Sequence, residues 1–454
     1  MTNTPSTMES IGQGTPTARL DRLPILGKHV IWILILALGY MIETFDNGVF
    51  SFVAPSIMAE WGLTVGQVGF VVSAVFIGMF VGAVVGGKLS DRLGRKPVLI
   101  YSSIFYSAAS LLTALAPNFE VLFLGRVLTG IGVQAATGVI MVYITEMFPR
   151  IARGRFVTIM TFGGYVIAPL TSILVLALAP IGIGSWRIAF AIGAVGVVVA
   201  AVVALCMPET VRWLVTHGKA ERAERLVAEM ELQALRKGPL GPIETEPPPA
   251  KAGRLSDLVS RQYRRRFISF AISFALLIYC LYGFGAFVPT VLVSRGLDRS
   301  EAVGLVGVMS LGCLLGPALL FFVADRIERK TALLISGLIS AVAVIVFGFA
   351  TDTTVAAVSG FIVYAGTCAM TTSIYTYLPE AFPTAIRGVG AGTVNGIGRI
   401  AGVVSGATVA AMLGSLGSGP TFLIVGTGFV LMGVIVHIFG PRSTGRSLED
   451  ISHG

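Results

Sequence analysis

Four ionisable residues sit where ionisable residues are costly, inside long apolar stretches: Glu43, Asp46, Arg126 and Arg399. Asp46 lies ~10 Å from the outer end of its stretch and Arg126 ~8 Å from the outer end of its own, counting 1.5 Å of helix rise per residue. At similar depths the two can neutralise one another. An aspartate can take up a proton, whereas an arginine does not lose one. Protonating Asp46 would therefore free Arg126, which is the chemistry of a proton-coupling switch. A static ion pair that only orders the helices, or direct contact with a substrate, are the other readings of the same two residues.

Glu43 precedes Asp46 by one helical turn and shares its face. It is a second proton site, a group that attracts cations, or a carboxyl hydrogen-bonded to a neighbouring helix. Arg399 falls ~16 Å into its stretch, near the bilayer midplane. Its planar fork suits a carboxylate, so it is either an anion-binding group or the partner of an acid elsewhere. Polar and aromatic residues at comparable depth are candidates to line a cavity: the amides Gln134 and Asn395, and Tyr165, Tyr279, Tyr282 and Tyr375, with Phe162, Phe287 and Tyr377 beside them. Each alone is as readily a packing residue. Together with a midplane cation they suit a flat aromatic carboxylate.

The elements that must hold these residues are membrane helices. Of the 454 residues 54% are hydrophobic and 13% charged, with mean hydropathy +0.84. A soluble domain needs about 25% charge to cover its surface. Twelve stretches reach the ~20 residues that cross a bilayer, at about 30–53, 67–87, 97–115, 121–145, 156–178, 187–207, 267–291, 301–324, 331–349, 354–378, 388–413 and 420–440. The fold class expected is an all-α membrane protein of twelve transmembrane helices in two pseudo-symmetric six-helix bundles, over 29–207 and 267–440. Residues 1–28 read as a disordered cytoplasmic tail, 208–266 as a cytoplasmic linker with short helices broken by Pro242–Pro249, and 441–454 as a second cytoplasmic tail. Lys and Arg concentrate in alternate loops, which places both termini inside a multi-pass protein of the cell membrane.

The net charge of +9 is accounted for by those loops, so no nucleic-acid partner is expected. The partners expected are a small-molecule substrate, protons and the lipid bilayer, with the chain acting as a monomer. The four histidines have no metal-ligand spacing and the four cysteines sit in apolar runs, so neither a metal, a cofactor nor a structural disulfide is expected. No Ser/His or metal cluster points to an enzyme.

Two segments repeat 234 positions apart. Glu146-Met-Phe-Pro-Arg-Ile-Ala-Arg153-Gly matches Glu380-Ala-Phe-Pro-Thr-Ala-Ile-Arg387-Gly, and Asp91-Arg92-Leu-Gly-Arg95-Lys matches Asp325-Arg326-Ile-Glu-Arg329-Lys. Duplication of a six-helix unit explains both. Asp91, Arg92, Arg95, Glu146 and Arg153, with Asp325, Arg326, Glu380 and Arg387 in the copy, form a set of charges able to latch a cytoplasmic gate. Exposed pairs worth about 0–1 kcal/mol suit a reversible latch, and topogenic charge is the plainer reading.

These motifs, together with Pro208-Glu209-Thr-Val-Arg212-Trp213, resemble the major facilitator superfamily, and within it the sugar porters, niacin-type and aromatic-acid permeases and organic ion transporters. Glu328 departs from the usual Gly of the second loop. The resemblance of Phe45-Asp46-Asn47-Gly48 and Gly125-Arg126-Val-Leu-Thr-Gly130 to family motifs implies that Asp46 and Arg126 work together in proton symport. Asn395-Gly-Ile-Gly398-Arg399 resembles a helix in which such an Arg favours anions. The function expected is proton-coupled uptake of a small organic anion, such as an aromatic or pyridine carboxylate, by alternating access. A sugar or polyol symporter and a metabolite or drug efflux antiporter are the alternatives.

Overall fold

A computed structural model of the chain describes residues 14–243, 255–323, 327–383 and 386–441. Twelve helices among these are long and apolar enough to cross a membrane. We number them one to twelve: Gly27–Trp61, Val65–Leu93, Arg95–Ala114, Phe119–Met147, Arg153–Ile181, Ile183–Cys206, Arg264–Gly285, Arg299–Leu319, Arg329–Phe349, Thr353–Leu378, Arg387–Leu416 and Ser418–Phe439. Local chemistry fixes their ends. Thr64 and Gln67 form a capping box on helix two, Asn118 and Asp352 cap helices four and ten, and Gly62 supplies the left-handed turn (φ 65°) that ends helix one. The seventh apolar stretch is not one straight rod. It stops at Gly285 and resumes as a separate short helix over Val288–Ser294.

The duplication seen in the loops extends into the packing. Helix two lies against helix four through Gly78 and Gly82, where an added Cβ would meet the Val127 and Ile131 carbonyls at 2.0 and 2.2 Å. Helix eight lies against helix ten through Gly312 and Gly316, whose Cβ atoms would meet the Phe361 and Ala365 carbonyls at 2.3 and 1.9 Å. All four pairs of counterparts are 234 positions apart. Such backbone approach is what small residues contribute to membrane helices.

The two halves meet at the end of the molecule away from the basic loops. There Gly69 and Gly406 bring helix two onto helix eleven, and the Ser73 hydroxyl donates to the Val403 carbonyl at 2.7 Å. Helix five meets helix eight through Ser172, which donates to the Val303 carbonyl at 2.8 Å. Towards the basic loops the halves part. Residues 83–85 and 87–89 of helix two are exposed, and nothing lies within 4 Å of a Cβ placed on Gly388, Gly392 or Gly396 of helix eleven.

The tail expected to be disordered over 1–28 is ordered from residue 14. Thr15 caps a helix over Pro16–Asp21 that docks on the linker helix Ala220–Leu235. Arg19 is fully buried there, paired with Glu231 at 2.5 Å and with Glu224. Composition hides this because the docking is made by a few charge pairs and by Leu20, Leu23 and Leu26, not by an apolar run. Residues 1–13 and 442–454 lie outside the described residues.

Candidate functional site

Asp46 on helix one and Arg126 on helix four form an ion pair at 2.9 Å with neither side chain exposed. Two further helices complete it. Ser110 of helix three donates to the other Asp46 oxygen, and Phe190 of helix six places its ring 5.3 Å from the Arg126 guanidinium carbon. Close approach of helix six is possible because position 193 is Gly: a Cβ there would sit 2.5 Å from the Asp46 carboxylate. Arg126 Nε has no hydrogen-bond partner among the described residues, so Asp46 carries most of the compensation of this buried cation.

Glu43 is also buried, and it shares no ion pair among the described residues. One oxygen accepts from the Thr137 hydroxyl of helix four at 2.6 Å, and the other lacks a partner among those residues. The Tyr106 hydroxyl of helix three is buried near both Glu43 and Asp46. Gln134, one turn before Thr137, is half-buried.

Arg399 of helix eleven reaches across to the other half. Its Nη1 lies 3.6 Å from the Met79 sulfur of helix two, a weak acceptor, and the guanidinium meets the Tyr282 hydroxyl. No carboxylate pairs with it among the described residues. Tyr282 of helix seven also touches Asn47, and its ring stands edge-on to Phe76 at 4.5 Å. Tyr40 of helix one stands in electrostatic reach of the same Arg, and Tyr375 of helix ten in reach of Tyr40 and Tyr282. Tyr375 is 41% exposed into the space between the halves, and Phe274 backs its ring at 5.6 Å. Asn395 lies one turn from Arg399 on the same face and is half-buried.

Two of the anticipated tyrosines stand apart. Tyr165 bridges the halves with a 2.8 Å hydrogen bond to Thr372, on the opposite wall. Tyr279 turns to an exposed flank of helix eleven, where its hydroxyl meets Thr408 at 2.9 Å. Ser110, Asn47, Tyr40, Met79 and Thr137 belong to the centre, yet nothing in their sequence context marks four of them. Asn47 has a signal, its place next to Asp46.

The charges at the basic-loop end form two copies of one device. Arg95 grips Glu146 with two hydrogen bonds, 2.9 and 3.0 Å, and Arg329 approaches Glu380 at 2.8 Å. Asp91 joins Arg95 at 3.2 Å and is largely exposed, while Arg92 is exposed and shares no ion pair among the described residues. Arg153 does not reach Glu146. Its Nε donates to the Phe148 carbonyl at 3.0 Å and its fork takes Asp21 of the docked tail. Arg387 repeats the first contact, donating to the Phe382 carbonyl at 3.4 Å. Asp325 and Arg326 lie outside the described residues. The pairs Arg95–Glu146 and Arg329–Glu380 each fasten helix ends within one half, so in this conformation neither bridges the halves.

Glu209 completes the first copy. Its carboxylate accepts from the Arg95 and Lys96 backbone N–H groups at 3.0 and 3.3 Å, capping helix three where Gly94 offers no side chain. Burial nonetheless pushes its carboxyl above the ordinary 4.5.

Twelve spanning helices in two matching bundles, joined at one end over a polar centre and parted at the other, define a solute transporter. The chain belongs to the sugar (and other) transporter family of the major facilitator superfamily: the family model matches residues 32–454. It is a multi-pass membrane transporter and not an enzyme. It is 31% identical to the putative metabolite transport protein YyaJ of Bacillus subtilis over 95% of this chain and 96% of the relative. To the niacin transporter NiaP of Acinetobacter baylyi it is 29% identical, covering 96% and 99%, and to the gallate transporter of Pseudomonas putida 27%, covering 91% of each. Its fold is similar to that of the D-xylose-proton symporter, with TM-score 0.73 at 20% identity over 92% of this chain and 99% of the other.

Proposed function

We propose that this chain is a proton-coupled symporter that takes up a small organic monoanion, a single-ring aromatic or pyridine carboxylate. The observation that carries the reading is Arg399. A guanidinium near the midplane, held by a thioether sulfur and a phenol and by no carboxylate among the described residues, is an incomplete ion pair. A ligand carboxylate would complete it, with Tyr40, Tyr282 and Tyr375 offering hydroxyls and ring edges. Niacin and gallate, after which two relatives are named, are single-ring carboxylates.

The proton is assigned to Asp46. Protonation would break its 2.9 Å pair with Arg126 and leave a buried cation uncompensated. Breaking a buried pair costs about 3–5 kcal/mol, enough to drive a rearrangement between states a few kcal/mol apart. Asn47 joins the two sites. Its carbonyl lies 3.5 Å from Arg126 Nη2 and its side chain meets Tyr282, which meets Arg399. Loss of the Asp46 charge would therefore be felt at the anion site through Arg126, the backbone and side chain of Asn47, and Tyr282. With the basic loops inside, as their charge favours, the conformation described is inward-facing and the termini are cytoplasmic.

The test is uptake into proteoliposomes under an imposed inward proton gradient, with labelled nicotinate, gallate and xylose offered separately. Accumulation of a ring carboxylate, abolished by a protonophore, is the expected result. Accumulation of xylose and of neither acid would overturn the anion assignment.

A further inference from the structure

A second cavity lies outside the central site, at the basic-loop end of the first half. It encloses about 510 Å³ between the loop joining helices two and three, the end of helix six and the linker helix. Its lining carries four cations, Lys96, Lys219, Arg222 and Arg225, against two acids, Glu209 and Glu229. Both acids are occupied elsewhere. Glu209 is turned onto the backbone N–H groups that begin helix three, and Glu229 pairs with Lys28 at 2.5 Å. The cations are not neutralised in the same way. Lys219 rests over the Trp213 ring at 4.7 Å, Lys96 donates to the Ala204 carbonyl, and Arg222 has no carboxylate partner among the described residues. Arg225 has only the long, exposed contact with Glu221 at 3.5 Å.

The walls of this cavity continue into the lipid-facing side of the bundle. Leu93 in its lining is 48% exposed, Leu205, which follows the Ala204 whose carbonyl takes Lys96, is 85% exposed on helix six, and Tyr101, one turn after Pro97 of the lining, is 62% exposed on helix three. The cavity thus lies where a membrane helix ends and a phosphate layer begins, with an indole beside the cations.

We propose that this cavity binds the headgroup of an anionic phospholipid. Lys219, Arg222 and Arg225 take the phosphate, and the acyl chains lie along Leu93 and Leu205. The lipid would join the linker helix to the loop of helices two and three, next to the Arg95–Glu146 pair. A free phosphate would use the same cations but none of the apolar flank, so the flank commits the site to lipid.

The purified full chain, in mixed micelles with phosphatidylglycerol or phosphatidylcholine, is tested by native mass spectrometry for retained lipid. Phosphatidylglycerol is expected to be retained over phosphatidylcholine. The double variant Lys219→Gln/Arg222→Gln should lose affinity by about 25-fold, each near-surface cation contributing roughly a factor of five. Lys219→Arg should retain binding, as should Arg236→Gln, which removes a linker charge outside the cavity. Inorganic phosphate should not displace the lipid. Equal retention of the two lipids, equal loss in Arg236→Gln and the double variant, or displacement by inorganic phosphate alone would each overturn the proposal. All the substituted groups are exposed, and the thermal midpoint of each variant separates loss of binding from loss of fold.

Discussion

Asn47 stands between the two charged centres of the molecule, its carbonyl 3.5 Å from Arg126 and its side chain against Tyr282, the partner of Arg399. The proposed proton site in the first half and the proposed anion site on the second are therefore linked through one residue, without a long relay.

Asn47→Ala removes the amide that meets Tyr282 but leaves the backbone carbonyl and the Asp46–Arg126 pair. We expect substrate binding to fall less than tenfold while the substrate-to-proton ratio becomes variable. Parallel recording of labelled uptake and internal pH in proteoliposomes measures this, and a fixed ratio would show that coupling does not pass through Asn47.

Arg399→Ala should weaken binding of the transported carboxylate by about tenfold to a hundredfold, the range for a hydrogen bond to a charged group of ~1.5–3 kcal/mol. Arg399→Lys restores the charge without the fork and should recover part of the loss. Equilibrium binding of labelled substrate reads both. Unchanged affinity in Arg399→Ala removes this residue from the site.

Gly69 marks the seam that closes the far end, where a Cβ would lie 2.4 Å from both the Ala410 Cβ and the Gly406 carbonyl. Gly69→Val should pry helix two from helix eleven and shift the population towards a state open at that end. Spin labels at Gly66→Cys and Gly414→Cys should report a longer separation in the variant than in its absence. An unaltered distance distribution would mean that the seam yields elsewhere.

The two ion pairs at the basic-loop end differ in burial and should differ in cost. Arg95 and Glu146 are 12% and 8% exposed, whereas Arg329 and Glu380 are 32% and 25% exposed. Arg95→Ala should destabilise the fold by about 3 kcal/mol, and Arg329→Ala by about 1 kcal/mol or less. Thermal midpoints in detergent rank them, and the reverse order would contradict the asymmetry.

Glu209 supplies a pH dependence. Burial raises its carboxyl above 4.5 in the folded state. An acid whose folded pKa is raised contributes stability that is fully present below the unfolded value and lost as pH rises through the folded value. Stability should therefore decline with rising pH across that window, and Glu209→Gln should decline less. Identical pH profiles of the thermal midpoint would place the effect in another group.

Much of the fold is legible in the sequence because membrane constraints are severe. A helix that spans must be long and apolar, so twelve stretches become twelve helices, and an ionisable residue inside one needs a reason, which singles out Asp46, Arg126, Glu43 and Arg399. Repeated loop motifs disclose the duplication. Partners are harder to read. Arg153 and Glu146 are close in sequence, yet Arg153 takes Asp21 from a tail whose composition suggests disorder, because a pairing between distant segments leaves no periodic trace. Tyr279 and Tyr282 differ by three positions on one unbroken helix, yet Tyr279 meets Thr408 and Tyr282 meets Arg399, a division set by where helix eleven packs. Ser110, Tyr40 and Met79 carry no charge and look like any helix residue until the neighbouring helices are in place.

The Asp46–Arg126 pair is proposed as the proton switch for an anion held at Arg399. Asp46→Asn, which keeps the shape and removes the titration, tests it most directly in proteoliposomes. Accumulation of the labelled carboxylate against its gradient should be abolished, while exchange of labelled for unlabelled substrate continues at a comparable rate. Undiminished proton-driven accumulation in Asp46→Asn would contradict the account.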